Sequence, residues 1–154
     1  MKNRLLLTAA ALLFAVSANA YDATKAGELN SFYSHMTQKA CADSKLFVKA
    51  KDVMKLLKEN KPVALLDVRT DGEASVIALS GENALHIPIE KLFEKNNLDK
   101  IPTDKPVMVV CHSGTRATLA AIGLKRIGFK NVHVIKGGLI ALAEANNPKN
   151  APLK

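Results

Sequence analysis

Apolar positions along the chain change their period several times, and each change marks an element. Leu5 to Val16 is an unbroken apolar run. Ala26, Leu29, Phe32, Tyr33, Met36 and Ala40 then recur at three- and four-residue steps, which predicts an amphipathic helix. A turn-like Ala40-Cys41-Ala42-Asp43-Ser44 follows it. Leu46 to Val48 predicts a short edge strand. Lys51 to Glu59 predicts a helix, with Val53, Met54, Leu56 and Leu57 inward, that Asn60-Lys61-Pro62 breaks. Val63 to Val68 is nearly all apolar, as in a parallel strand covered on both faces. Ala84 to Ile87 predicts a third strand, Glu90 to Glu94 a short helix, and Asn96 to Pro106 a loop. Val107 to Val110 is another buried strand. Ala117, Ala120, Ala121, Leu124 and Ile127 then form one apolar helix face, ended by Gly128. Val132 to Ile135 is the last strand, and Gly137-Gly138 turns the chain into a helix over Leu139 to Ala145. Strands alternating with helices predict an α/β fold, a parallel central sheet with helices on both faces. The domain spans 46–146, with a helical extension over 21–45 and a C-terminal tail over 147–154.

Length and charge refine this picture. A chain of 154 residues suits one domain. Lys2 and Arg4 precede the Leu5 to Val16 run, and Ala18-Asn19-Ala20 gives a small-x-small cleavage site. Residues 1–20 are therefore expected to be a secretory signal peptide cleaved after Ala20, which places the protein in the periplasm. The run is short for a membrane span, so no stable span is expected after cleavage. Tyr21 stands where a lipoprotein would carry its anchoring cysteine. The formal charge of +8 becomes +6 once Lys2 and Arg4 are removed. A basic field gathers small anions. No basic block is interleaved with aromatics, so nucleic acid is not an expected partner. His35, His86 and His133 lack ligand spacing with one another or with the cysteines, so neither a metal nor another cofactor is expected.

Candidate chemistry concentrates at Cys111-His112-Ser113-Gly114-Thr115-Arg116-Ala117, between a valine-rich strand and a helix. Backbone N–H groups point into such a turn, and the positive end of the helix lies beside it. Both favour an anion there, and so favour thiolate over thiol. Gly114 lets the backbone turn with positive φ and bring the amides inward. The requirements are a thiol that is not walled off and N–H groups that face it. Two cysteines in an exported protein ordinarily suggest a disulfide, which conflicts with Cys111 as a nucleophile.

The loop Cys-x-x-Gly-x-Arg-Ala, followed by Gly128-Phe129, Val132 to Ile135 and Gly137-Gly138, resembles a rhodanese domain. Leu65-Leu66-Asp67-Val68-Arg69 with Glu73 is similar to that family's first central strand and the turn after it. The resemblance covers residues 46 to 145. It implies a sulfurtransferase whose Cys111 carries sulfane sulfur as a persulfide, passing it from a small anionic donor such as thiosulfate to a thiol or cyanide. The amides of His112, Ser113, Gly114, Thr115 and Arg116 would hold the sulfur anion. Only four residues separate Cys111 from Arg116. The related tyrosine phosphatases have a longer loop that suits phosphate.

Arg116 either binds the donor's sulfonate end or pairs with a carboxylate such as Asp67. Arg69 with Glu73 is expected to form a structural ion pair. The chain departs from the family across Ala78 to Leu85, where Ser80-Gly81-Glu82-Asn83 replaces the usual segment. Leu139 also stands where a tryptophan is often found, and both changes bear on donor and acceptor specificity. Two other readings stay open: a non-catalytic module that binds another exported protein on this scaffold, and a thiol redox protein using Cys41 and Cys111.

Overall fold

A computed structural model describes residues 20–147 and 149. Almost all of the expected signal peptide and most of the expected tail lie outside the described residues. The chain divides after His35 into two compact units.

The first unit contains α1 (Ala23–Tyr33), opened by Asp22, whose carboxylate accepts the Lys25 N–H at 3.0 Å. None of its residues is buried. The stripe expected to run on to Ala40 is interrupted by a second cap. The Thr37 hydroxyl accepts the Ala40 N–H at 3.1 Å and starts a separate helix, α2 (Gln38–Asp43), within the second unit. Cys41 therefore lies in a helix rather than in a turn. Side-chain capping by threonine overrode the apolar period.

The second unit carries the sheet. Its strands are β1 (Phe47–Lys49), β2 (Ala64–Asp67), β3 (Ala84–His86), β4 (Val107–Val110) and β5 (Val132–Lys136). All four pairings are parallel, in the order β1-β5-β4-β2-β3. The helices are α3 (Ala50–Lys58), α4 (Asp71–Val76), α5 (Lys95–Leu98), α6 (Thr115–Arg126) and α7 (Gly138–Ala145).

Two of these helices differ from expectation. α4 stands where the sequence predicts only a turn, because Thr70 and Glu73 form a reciprocal capping box that starts it. The helix expected at 90–94 is a run of turns, and a helical turn falls at α5, three of whose four residues lie in the expected loop.

The pleat sorts the central strands onto two cores. Leu66, Val109 and Val134 point to one face, where Ala117, Ala120, Ala121 and Leu124 of α6 cover them. Leu65, Met108 and Ile135 point to the other, under Ala50 and Val53 of α3 and Leu142 of α7. Burying each such aliphatic side chain stabilises the fold by about 1.5–3 kcal/mol. The three small alanines on α6 let that helix lie close to the sheet. Ile127, expected on this face, caps the helix and is 53% exposed.

The strand order locates the site. From β2 the chain steps outward to β3, then returns to the far side of β2 as β4. The reversal lies between β2 and β4, whose ends Asp67 and Val110 are in register. In open α/β sheets the crevice beyond the carboxyl ends at such a reversal is where ligands bind. Cys111 follows Val110 directly.

Candidate active site

Each residue of the loop is placed by the strand before it or the helix after it. Gly114 is the N-cap of α6, with φ +119°, and it has no side chain with which to cap the helix. The first-turn amides need another acceptor. The Cys111 sulfur supplies one: Gly114 N–H donates to Sγ at 3.1 Å and Ala117 N–H at 3.4 Å. The thiol thus stands where a capping serine or aspartate oxygen would sit, and the positive end of α6 faces it. Among the described residues, the N–H groups of His112, Ser113, Thr115 and Arg116 have no hydrogen-bond acceptor. Ala117 was not among the expected amides. It occupies the third helical position, which an N-cap side chain ordinarily satisfies, and that rule would have singled it out.

Of the two requirements on the thiol, Gly114 alone of the expected amides, joined by Ala117, faces the sulfur, and the expected exposure is absent. Cys111 is 1% exposed, packed against Ala117 and the α6 face. His112, Ser113 and Thr115 are exposed above it. A shallow apolar depression of about 320 Å³ lies beside the loop, lined by Arg69, Glu73, Val76, Ile77, His112, Leu139 and Ile140. Cys111 does not line it. The thiol is therefore buried beneath these loop residues.

The two expected ion pairs exchange partners. Arg116 donates through Nη1 and Nη2 to the two oxygens of Glu73, each at 2.6 Å, a bidentate fork. Its partner is Glu73 rather than Asp67. Each terminal nitrogen gives one N–H to it, so the fork ties the loop to α4. Arg69 pairs with Asp67 instead of Glu73: Nη2 donates to Oδ2 at 2.6 Å and Nε to Oδ1 at 2.9 Å. Both side chains are 3% exposed.

The exchange follows from geometry. Asp67 ends β2 and Arg69 folds back over it, while the capping box turns Glu73 toward α6. Arg69 also donates to the Ile77 carbonyl at 2.7 Å, and its own carbonyl meets His86 Nε2 at 3.0 Å. It thereby ties the C-terminal end of α4 and β3 to the strand end.

The charges reinforce these contacts. The Arg116 fork, helped by the Thr70 N–H, holds the Glu73 carboxyl well below the usual carboxylate range. Glu73 in turn raises Arg116, with the Cys111 sulfur adding a smaller contribution in the same direction. Arg69 is raised chiefly by its hydrogen bonds to Asp67. Cys41 and Cys111 are both free thiols, Cys41 exposed. The described residues contain no group of three or more His, Cys, Asp or Glu side chains arranged to hold a metal ion.

A five-stranded parallel α/β domain with a cysteine under a helix N-terminus, at the sheet's reversal, defines the class. Residues 49–145 match the rhodanese-like domain family, and the chain belongs to it. The sulfurtransferase of Allochromatium vinosum is 31% identical over 96 residues, covering 62% of this chain and 86% of that protein. A probable adenylyltransferase/sulfurtransferase MoeZ of Mycobacterium tuberculosis is 29% identical over 92 residues, 60% of this chain. The chain spans only 23% of that relative's length. Among solved structures, a rhodanese-related protein from Thermoplasma volcanium superposes with a TM-score of 0.54 at 30% identity. That match covers 66% of this chain and 93% of the other.

Proposed function

We propose that this protein moves sulfane sulfur from thiosulfate, or a similar small anionic donor, to a thiol or cyanide through a persulfide on Cys111. The observation that carries the proposal is the set of amides around one sulfur. Two N–H groups already point at Sγ, and four more in the same loop have no acceptor. An added sulfur anion is the group that such donors would stabilise. The family and the sulfurtransferase from A. vinosum point the same way.

The steps balance without a cofactor. The Cys111 thiolate attacks the outer sulfur of thiosulfate, the S–S bond breaks, and sulfite leaves with the electron pair. The product Cys-S-S⁻ keeps its charge on the terminal sulfur, near the unpartnered amides. Cyanide or a thiolate then attacks that sulfur, and the Cys111 thiolate leaves. Such an exchange runs as a ping-pong reaction.

Because Cys111 is buried, loading requires the loop to open, and closure then shields the persulfide from other thiols. The test is intact mass after exposure to thiosulfate. A gain of about 32 Da, the mass of one sulfur, is expected on the wild type and on Cys41→Ser, and is absent in Cys111→Ser. Transfer to cyanide by Cys111→Ser at the wild-type rate overturns the proposal. Retention of the adduct and of transfer in Cys41→Ser separates this chemistry from a Cys41–Cys111 redox cycle.

We also propose that the protein is exported and acts in the periplasm. The support is the basic, apolar and small-residue order of its first twenty residues.

A further inference from the structure

Gly137-Gly138, which the transfer chemistry leaves unused, touches the cysteine loop. Gly138 is buried, with φ +60°, and opens α7. A Cβ placed on it would run into the Cys111 carbonyl oxygen and would stand 2.6 Å from the His112 carbonyl oxygen. The absence of a side chain lets the start of α7 press against the loop backbone. There the Leu139 N–H donates to the Cys111 carbonyl at 2.8 Å and the Ile140 N–H to the His112 carbonyl at 3.4 Å.

In a trans peptide the C=O and the following N–H point in opposite directions. No cis peptide is present among the described residues. With the carbonyls of Cys111 and His112 drawn to α7, the N–H groups of His112 and Ser113 are turned away from it. These are two of the loop amides without an acceptor.

We propose that Gly138 is a positioning residue: by admitting α7 to the loop, it fixes two peptide planes so that the His112 and Ser113 amides face the sulfur. α7 is then the outer half of a clamp whose inner half is the Gly114 and Ala117 amides on α6. The inference rests on Cys111 as the sulfur carrier, but its test does not need sulfur transfer.

Three substitutions are compared in a Cys41→Ser background, so that only Cys111 reacts. Gly138→Ala introduces the clash. Leu139→Pro deletes one clamping N–H in the first turn of a helix, where proline is tolerated. Gly128→Ala is the control, since it also has positive φ (+108°) but nothing near its added Cβ. The readouts are the pH profile of Cys111 alkylation by iodoacetamide and the amide proton resonances of the loop as the thiol is ionised.

In the parent protein the resonances of His112 and Ser113 should move together with those of Gly114 and Ala117. In Gly138→Ala and Leu139→Pro the first two should stop moving while the last two continue, and the midpoint of the alkylation pH profile should rise by about one unit, whatever the change in access to the thiol. Gly128→Ala should keep the parent behaviour. Wild-type alkylation and resonances in a folded Leu139→Pro overturn the proposal. So do His112 and Ser113 amides that stay still in the parent protein, a result that requires no variant to fold. If the parent protein takes up no sulfur but the alkylation and resonance differences appear, the positioning stands and the transfer reading falls.

Discussion

At the scale of single residues, the Glu73 side chain links the start of α4 to Arg116 of α6. Its carboxylate accepts the Thr70 N–H at 3.1 Å while holding both ends of the Arg116 fork. A carboxyl held below its ordinary value stabilises the fold fully above the unfolded value of about 4.3, and that stability is lost as the pH falls toward the folded value. The difference in thermal midpoint between wild type and Glu73→Gln should therefore stay constant from neutral pH to about pH 5. Below roughly pH 4 it should shrink, which thermal melts across this range will check. Asp67 differs because it is buried. Asp67→Asn leaves the Arg69 guanidinium buried beside a neutral group and should cost about 3–5 kcal/mol, measured by denaturant unfolding. The presence of these charges was legible in the sequence, but their pairing was not. Asp67, Arg69, Glu73 and Arg116 allow several combinations, and only the capping box and the fold-back of Arg69 over β2 select one.

At the scale of elements, the site depends on two helix starts meeting one strand end. α6 brings its N-terminus to Cys111 because Ala117, Ala120, Ala121 and Leu124 are fully buried against the sheet. Leu124→Ala empties a fully buried position and should destabilise by about 2–5 kcal/mol, read from chemical denaturation. Because Leu124 lies on the far turns of α6, the sulfur adduct proposed for Cys111 should form equally on folded molecules of this variant. α4 shows how an element escapes a sequence reading. It has six residues, too few for an apolar period, and only the Thr70 and Glu73 spacing announced it. The same limit explains α5, whose four residues were displaced from the expected helix at 90–94. The apolar strands β2, β4 and β5 were readable because burial on both sides of a sheet leaves a continuous run, and the alanine face of α6 because its period is helical.

For the whole molecule, the excess of basic over acidic residues suits a small anionic donor, since a positive field raises its encounter rate. The export proposal belongs at this scale too: intact mass of the protein recovered from the periplasm should correspond to a chain starting at Tyr21. A retained Met1 overturns it. The sequence by itself determined the alternation of strands and helices, the parallel sheet and the place of Cys111 between a strand and a helix. Those features follow from local period and turn chemistry, which neighbouring residues carry. Tertiary structure alone decided that the sulfur is buried, that Glu73 rather than Asp67 holds Arg116, and that Gly138 meets the Cys111 loop. Each of these is a contact between segments far apart in the chain, set by strand order and close packing, and no local pattern records it.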